Sequence, residues 1–374
     1  MIYLDSAATS LVKPACVEQA VVRAMRRAAS PGRGGHAPAL YAAEEVYACR
    51  ETAAAFFKLD DPARVVFTQN ATHALNIAVS SLVHRGERVV ISGFEHNSVT
   101  RPLAALGADI RVAATRLFDP EQALESFDKE LRGARVAVCT HVSNVFGYVL
   151  PIYEIAELCR MRGVPLIVDA SQSAGVIDID AARLGAAFIA MPGHKSLLGP
   201  QGTGLLLCTG EHAAAPIMHG GSGSDSIEQH MPLYLPDRLE AGTHNVCGIA
   251  GLRAGLEYLA ARTLDDIRYH ETALLKLLRS ELCDIPGLEV FAGAGETQCT
   301  VLSVRYVGIN SEELAAHLSE RGVCVRAGLH CAPRAHISAN TLESGTVRFS
   351  LSPFVTDAEI KSAANILKQI INDD

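Results

Sequence analysis

The sequence predicts an α/β protein: a large domain on a mostly parallel seven-stranded sheet, followed by a smaller α+β C-terminal domain. Three observations carry this. Short β-branched runs alternate with longer helical patterns over the first two thirds of the chain, as in successive βαβ units. Nearly every such run ends at a polar cluster, as strands do when their carboxyl ends face a ligand. Past about residue 255 the alternation gives way to a long helical stretch and a different mix of strands and helices. At 374 residues and 49% apolar composition, there is material for one large core and a smaller one.

Taken in order, the strands of the large sheet are expected at 64–68, 88–92, 110–112, 136–139, 165–168, 187–190 and 204–208. The clusters that follow them are Gln69 to His73, Phe94 to Asn97, His141 to Asn144, Asp169 to Gln172, and His194-Lys195. These should converge on one cavity. The Gly-rich segment from Gly220 to Ser224 and the stretch on to Arg238 read as a mobile loop or hairpin. A helical pattern from Gly248 to Arg279 then leads into strands at 288–291, 300–304, 323–326 and 347–350, with helices near 311–320 and 356–371. The domains are thus expected at 1–255 and 256–374, with the N-terminal segment packing on the small domain.

Charge and cysteine usage narrow the function. The net charge of −8 is spread along the chain with no block of like charge, which gives no support for nucleic acid or an anionic membrane as partner. The N-terminus lacks a basic segment followed by an apolar run, and no apolar stretch is long enough to span a bilayer, so a cytoplasmic location is expected. Ten cysteines are scattered without a C-x-x-C pair. Most read as reduced core residues, Cys139 among them; Cys331, in a Gly/His-rich loop, is the exception.

Val168-Asp169-Ala170-Ser171-Gln172 and, one crossover later, Met191-Pro192-Gly193-His194-Lys195 place a carboxylate and a lysine at successive strand ends. That pair suits pyridoxal 5′-phosphate: the amine condenses with the aldehyde, and the carboxylate keeps the ring nitrogen protonated so that the ring accepts electrons. An Asp closing an apolar strand also serves as a helix cap, and a lysine after a strand also serves as a surface charge. Asn70-Ala71-Thr72 opens a helix after a strand, an arrangement that suits a phosphate. Arg326-Ala327-Gly328-Leu329-His330-Cys331-Ala332 adds a thiol beside an arginine and a histidine.

From Tyr3-Leu4-Asp5-Ser6-Ala7-Ala8-Thr9 to Val347-Arg348-Phe349-Ser350-Leu351, these motifs make the chain resemble the class V, fold-type I pyridoxal-phosphate enzymes, specifically the cysteine desulfurases and selenocysteine lyases with a short catalytic-cysteine loop. The resemblance implies roles. Lys195 matches the Schiff-base lysine, Asp169 the pyridinium partner, Gln172 the residue on the ring hydroxyl, and His96 the histidine stacked on the ring that shuttles protons. Ala71, Thr72 and His194 fall at the phosphate. Thr243 resembles the threonine that reaches the phosphate from the other subunit of a homodimer. Arg348 matches the substrate-carboxylate arginine, with Arg326 and Asn144 beside it. Cys331 matches the thiol that takes sulfur from L-cysteine as a persulfide, leaving L-alanine, and ionisation of that thiol points to His330 and the local field. No metal is expected. Two departures stand out: the family more often has a hydroxyl residue at Ala71, and Ser or Thr at Pro192, which bears on cofactor affinity.

Alternatives stay open. L-selenocysteine in place of cysteine fits the same residues. Transamination or cystine carbon–sulfur lysis would make Cys331 incidental, and a non-catalytic cofactor-binding or sulfur-relay partner would give no turnover. A protein sulfur acceptor is expected, docking near Gly220 to Arg238.

Overall fold

Apolar side chains that alternate along the central strands fill the two faces of one sheet, and this positions everything else. The structure, a computed structural model, describes residues 1–32, 34–224 and 227–373. In chain order the first elements are β1 (Ile2–Tyr3), α1 (Ala15–Arg27), α2 (Ala37–Phe56), β2 (Val65–Thr68), α3 (Ala71–Leu82), β3 (Arg88–Ser92), α4 (Asn97–Leu106) and β4 (Asp109–Ala113). Then come α5 (Pro120–Glu130), β5 (Val136–Thr140), α6 (Ile152–Met161), β6 (Leu166–Asp169), α7 (Ala181–Leu184), β7 (Phe188–Pro192), β8 (Gly204–Cys208), α8 (Val246–Arg262) and α9 (Leu264–Leu282). The last are β9 (Leu288–Phe291), β10 (Val301–Tyr306), α10 (Ser311–Glu320), β11 (Val323–Cys324), β12 (Arg326–Gly328), α11 (Pro333–Ser338), β13 (Thr346–Ser350) and α12 (Asp357–Asp373).

The large sheet has seven strands in the order β2-β8-β7-β6-β5-β3-β4. Only β8 runs against the rest, antiparallel to both β2 and β7. In β5, Val136 and Val138 enter one core while Ala137 and Cys139 enter the other, and β7 divides Phe188 and Ala190 from Ile189 and Met191 in the same way. Both faces are therefore covered, as a parallel sheet requires. Each of the seven predicted strands is present, with ends shifted by no more than a few residues.

A four-stranded antiparallel sheet, β12-β13-β10-β9, forms a second core with α9, α10 and α12. Two features differ from the sequence reading. The single helix expected over 248–279 is broken: Thr263 takes φ 63° and its hydroxyl caps α9 by accepting from the Asp266 amide at 3.2 Å. Residue 255 thus lies inside α8, whose Leu256 and Leu259 belong to the large core. The strand expected over 323–326 divides, because β11 pairs in parallel with the N-terminal β1 while β12 pairs with β13. Leu4 is correspondingly buried in the second core. From 220 to 238 the described residues hold no helix or strand, and Asp225 and Ser226, part of the expected docking loop, lie outside the described residues.

Candidate active site

Because β2, β3, β5, β6 and β7 point the same way, their carboxyl ends share one edge of the sheet. β6 ends on Asp169, in register with Thr140 of β5 and Ala190 of β7. Turns after β7, β5 and β3 then deliver Lys195, Asn144 and His96. They meet at a cavity of about 510 Å³, lined among others by Ala71, Thr72, His96, Asn144, Asp169, Gln172, His194 and Lys195. Eight of the twelve residues singled out from the sequence are brought together there. Arg326, Arg348, Cys331 and Thr243 do not line it.

Burial holds the Lys195 ammonium down to about 8, against the opposing pull of Asp169; the cations of Arg348 and Arg326 push the same way as burial. A minor fraction of neutral amine is therefore present near neutrality and grows as pH nears 8, as a nucleophile needs. Asp169 is buried and accepts from the Ser171 amide at 2.9 Å. Burial also lowers His96, with Asp169 opposing and Lys195 reinforcing. The Ser98 amide donates to His96 Nδ1 at 3.0 Å, so the neutral ring carries its proton on Nε2. Behind it, Glu95 is fully buried and raised to about 8, chiefly by burial, although Ser92 Oγ and the Thr140 amide both donate to its Oε1.

Across a narrow gap from the start of α4, α3 begins. Asn70 caps it by accepting from the His73 amide at 2.9 Å, while the amides of Ala71 and Thr72 donate to no protein group among the described residues. Two unspent donors at the positive end of a twelve-residue helix suit a phosphate ester. His194 lies nearby with Nδ1 3.0 Å from Thr9 Oγ1, neutral because burial lowers it to about 4. Gln172 donates to the Ala7 carbonyl at 3.1 Å. A neutralisable lysine, a buried carboxylate and these free amides around one cavity fit pyridoxal 5′-phosphate.

Beside the cavity, the second sheet brings up further residues. Arg348, 1% exposed, donates to the Asn144 carbonyl at 3.0 Å and to Asp5 Oδ1 at 2.6 Å, and its Nε is unpartnered. Arg326 stands opposite it in register on β12, exposed, and its side chain makes no hydrogen bond or ion pair among the described residues. Asn144 Nδ2 donates to the His330 carbonyl at 2.8 Å, and the Asn97 amide donates to the Cys331 carbonyl at 2.8 Å. His330 and Cys331 both take left-handed backbone, φ 49° and 56°, a strained choice for residues with side chains. Cys331 is exposed. His330 corrects an expectation: it is buried and lowered far below its usual range by burial, so it carries no charge to ionise the thiol. Its Nε2 sits 3.1 Å from the Thr346 carbonyl, which makes it an anchor for the loop. Thr243 is exposed on a different cavity of about 560 Å³, beside Gln69, His73 and Glu240.

Residues 2–362 match the family profile described as Aminotransferase class-V. The chain belongs to the class-V aminotransferase family. This class-V protein is 32% identical to a probable cysteine desulfurase of Methanothermobacter thermautotrophicus over 99% of its own length and 94% of the relative's. It is 32% identical to another of Xylella fastidiosa, covering 96% and 88%. Among solved structures it resembles the cysteine desulfurase of Thermococcus onnurineus with a TM-score of 0.92 and 27% identity, covering 100% and 95%. For the cysteine desulfurase of Escherichia coli the values are 0.86 and 25%, covering 99% and 94%.

Sequence reasoning missed three residues of the class-V site. Asp5 pairs with Arg348 across a separation of 343 positions, which no spacing could announce. Glu95 looked like one polar neighbour among several. Ser98 lies two residues past His96 and lines the cavity, and its position on the first turn of a helix was the available signal.

Proposed function

We propose that this chain is a pyridoxal 5′-phosphate-dependent cysteine desulfurase that converts L-cysteine to L-alanine and keeps the sulfur as a persulfide on Cys331. The observation that carries the reading is Lys195 and Asp169 at adjacent strand ends in one cavity, with the Cys331 loop bonded to the helix that starts beside His96. The family membership and the names of the relatives support it.

Bound at this cavity, pyridoxal 5′-phosphate would supply an electron-accepting ring that stabilises negative charge at the substrate Cα. Ala71, Thr72 and His194 would hold the phosphate, and Thr243 would reach it from the second subunit of a homodimer. Asp169 would hold the proton of the ring nitrogen, with Gln172 on the ring hydroxyl and His96 against the ring face. Arg326 and Arg348 form a cationic wall for the substrate carboxylate, with Asn144 fixed between them and the cysteine loop. Lys195, able to be neutral, takes the Cα proton. The Cys331 thiolate attacks the substrate sulfur: an S–S bond forms, the Cβ–S bond breaks, and the electron pair left on Cβ takes a proton to give alanine. Bonds from Asn144 to the His330 carbonyl and from the Asn97 amide to the Cys331 carbonyl tether the loop that carries the thiol.

The chain is proposed to divide near residue 255 into a cofactor-binding and a cysteine-bearing domain, 1–255 and 256–374, and to pass sulfur to a protein acceptor. Among the described residues no helix is long and apolar enough to cross a membrane, and a cytoplasmic location is proposed with that in view. The test is release of alanine and sulfide from L-cysteine with reductant and added cofactor. Equal yields, abolished in Lys195→Ala and Cys331→Ala, are expected. Activity that survives in Cys331→Ala would favour selenocysteine or a simple lyase reaction, and a requirement for a 2-oxo acid would favour transamination.

A further inference from the structure

We infer that Ser98 is a phosphate-binding residue of this chain, supplying from the N-terminus of α4 the hydroxyl that Ala71 withholds at the N-terminus of α3; this rests on the reading of the cavity as a pyridoxal 5′-phosphate site. Both helices begin at the cavity, so both direct their positive ends into it. They reach it with different donors. The amides of Ala71 and Thr72 on α3 are unspent. On α4 the first amides are committed, Asn97 to the Cys331 carbonyl at 2.8 Å and Ser98 to His96 Nδ1 at 3.0 Å. A hydrogen bond from α4 to an anion therefore has to come from a side chain, and Ser98 is the hydroxyl residue on its first turn that lines the cavity.

The Ser98 hydroxyl lies 2.7 Å from Thr72 Oγ1, across the gap between the two helices, and 2.9 Å from His96 Nδ1. At this distance one hydroxyl donates to the other when no anion is present, and the second hydroxyl keeps a proton to give elsewhere. An anionic oxygen beside them is the stronger acceptor, and each hydroxyl has one proton to turn toward it. Doing so leaves His96 Nδ1 with its bond from the Ser98 amide, so the ring keeps its tautomer while the phosphate is gripped. Phosphate hold is thus moved from the first residue of α3 to the second residue of α4, which offsets the missing hydroxyl at Ala71.

The test is equilibrium titration of the cofactor-free protein with pyridoxal 5′-phosphate and, separately, with pyridoxal, which has the aldehyde and no phosphate, followed by the absorbance of the bound aldehyde. Ser98→Ala is expected to weaken pyridoxal 5′-phosphate by about tenfold or more, the usual worth of a hydrogen bond to a charged group, and to leave pyridoxal unchanged. Ser98→Thr should keep native affinity, and Ala71→Ser placed in the Ser98→Ala background should recover most of the loss. Native-like titration of Ser98→Ala with the phosphate ester would overturn the inference and leave the cofactor reading standing. Equal weakening for both aldehydes would overturn it as well, since the loss would not be of phosphate. A native protein that takes up neither aldehyde would defeat the cofactor reading, and the role of Ser98 with it.

Discussion

Lys195 is set by effects of opposite sign: burial and two arginines favour the neutral amine, and Asp169 favours the ammonium. Cofactor uptake by the cofactor-free protein should therefore quicken with pH through about 8, as the neutral fraction grows. Arg326→Gln removes a cation that depresses Lys195, so the limb should move to higher pH, though only modestly because Arg326 is exposed and screened. Stopped-flow absorbance over pH 7 to 9.5 measures this, and a limb that stays put would show that Arg326 does not act on the lysine. The residues legible in the sequence were those whose chemistry is announced by a strand end: Asp169, Lys195, His96, Asn144. Asp5 and Ser98 were not, since a pairing across the whole chain and a contact between two helix N-termini leave no local pattern. His330 was misjudged because proximity to a thiol can be read from sequence, whereas burial that keeps an imidazole neutral cannot.

Elements were more legible than the joints between them. The strands of the large sheet follow from β-branched runs ended by polar clusters, and β9 and α10 stand where periodicity put them. The breaks were hidden. Thr263 and Asp266 form a local cap that two flanking helical patterns mask, and β11 separates from β12 only because β1, from the far end of the chain, is there to pair with it. Helix α9 also carries Glu271, fully buried and raised from 4.5 to about 8 by burial, with Oε2 unpartnered. Unfolding lets this carboxyl ionise at its ordinary value, so stability contributed here falls as pH rises from 4.5 towards 8. Glu271→Gln, which cannot ionise, should be more stable than native by roughly 1–3 kcal/mol at pH 8, with the gap narrowing at pH 5. Urea denaturation at the two pH values checks this; an offset that does not change with pH would mean that proton binding is not its source.

Across the whole molecule, buried imidazoles and buried carboxyls set opposing slopes. His141, His194 and His336 are lowered by burial to about 3, about 4 and about 4, and His330 lower than its ordinary range. These four stay neutral in the fold but gain protons when unfolded below 6.5. Glu95 and Glu271 do the reverse between 4.5 and about 8. From pH 4.5 to 6.5 these histidines, with His73 and His96 lowered in the same direction, outweigh the two carboxyls and stability should rise with pH; above 6.5 the carboxyls pull it down, and Lys13 and Lys195, lowered to about 8, oppose them only as pH nears 8. The cofactor-free protein should accordingly melt highest near pH 6.5, and a melting temperature that keeps climbing to pH 8 would contradict the balance. The N-terminal pairing reaches further than stability. Asp5 meets Arg348 across 343 positions and β1 meets β11, so residues 2–5 gain their partners only once segments far away in sequence have folded beside them. β5, β6 and β7 pair with strands near them in sequence, yet Arg348 is fastened to Asp5 only by that long closure. The Arg348 side of the proposed site therefore depends on a late, long-range closure: a chain with the large sheet folded and β13 undocked would hold Lys195 and Asp169 in place with no Arg348 beside them.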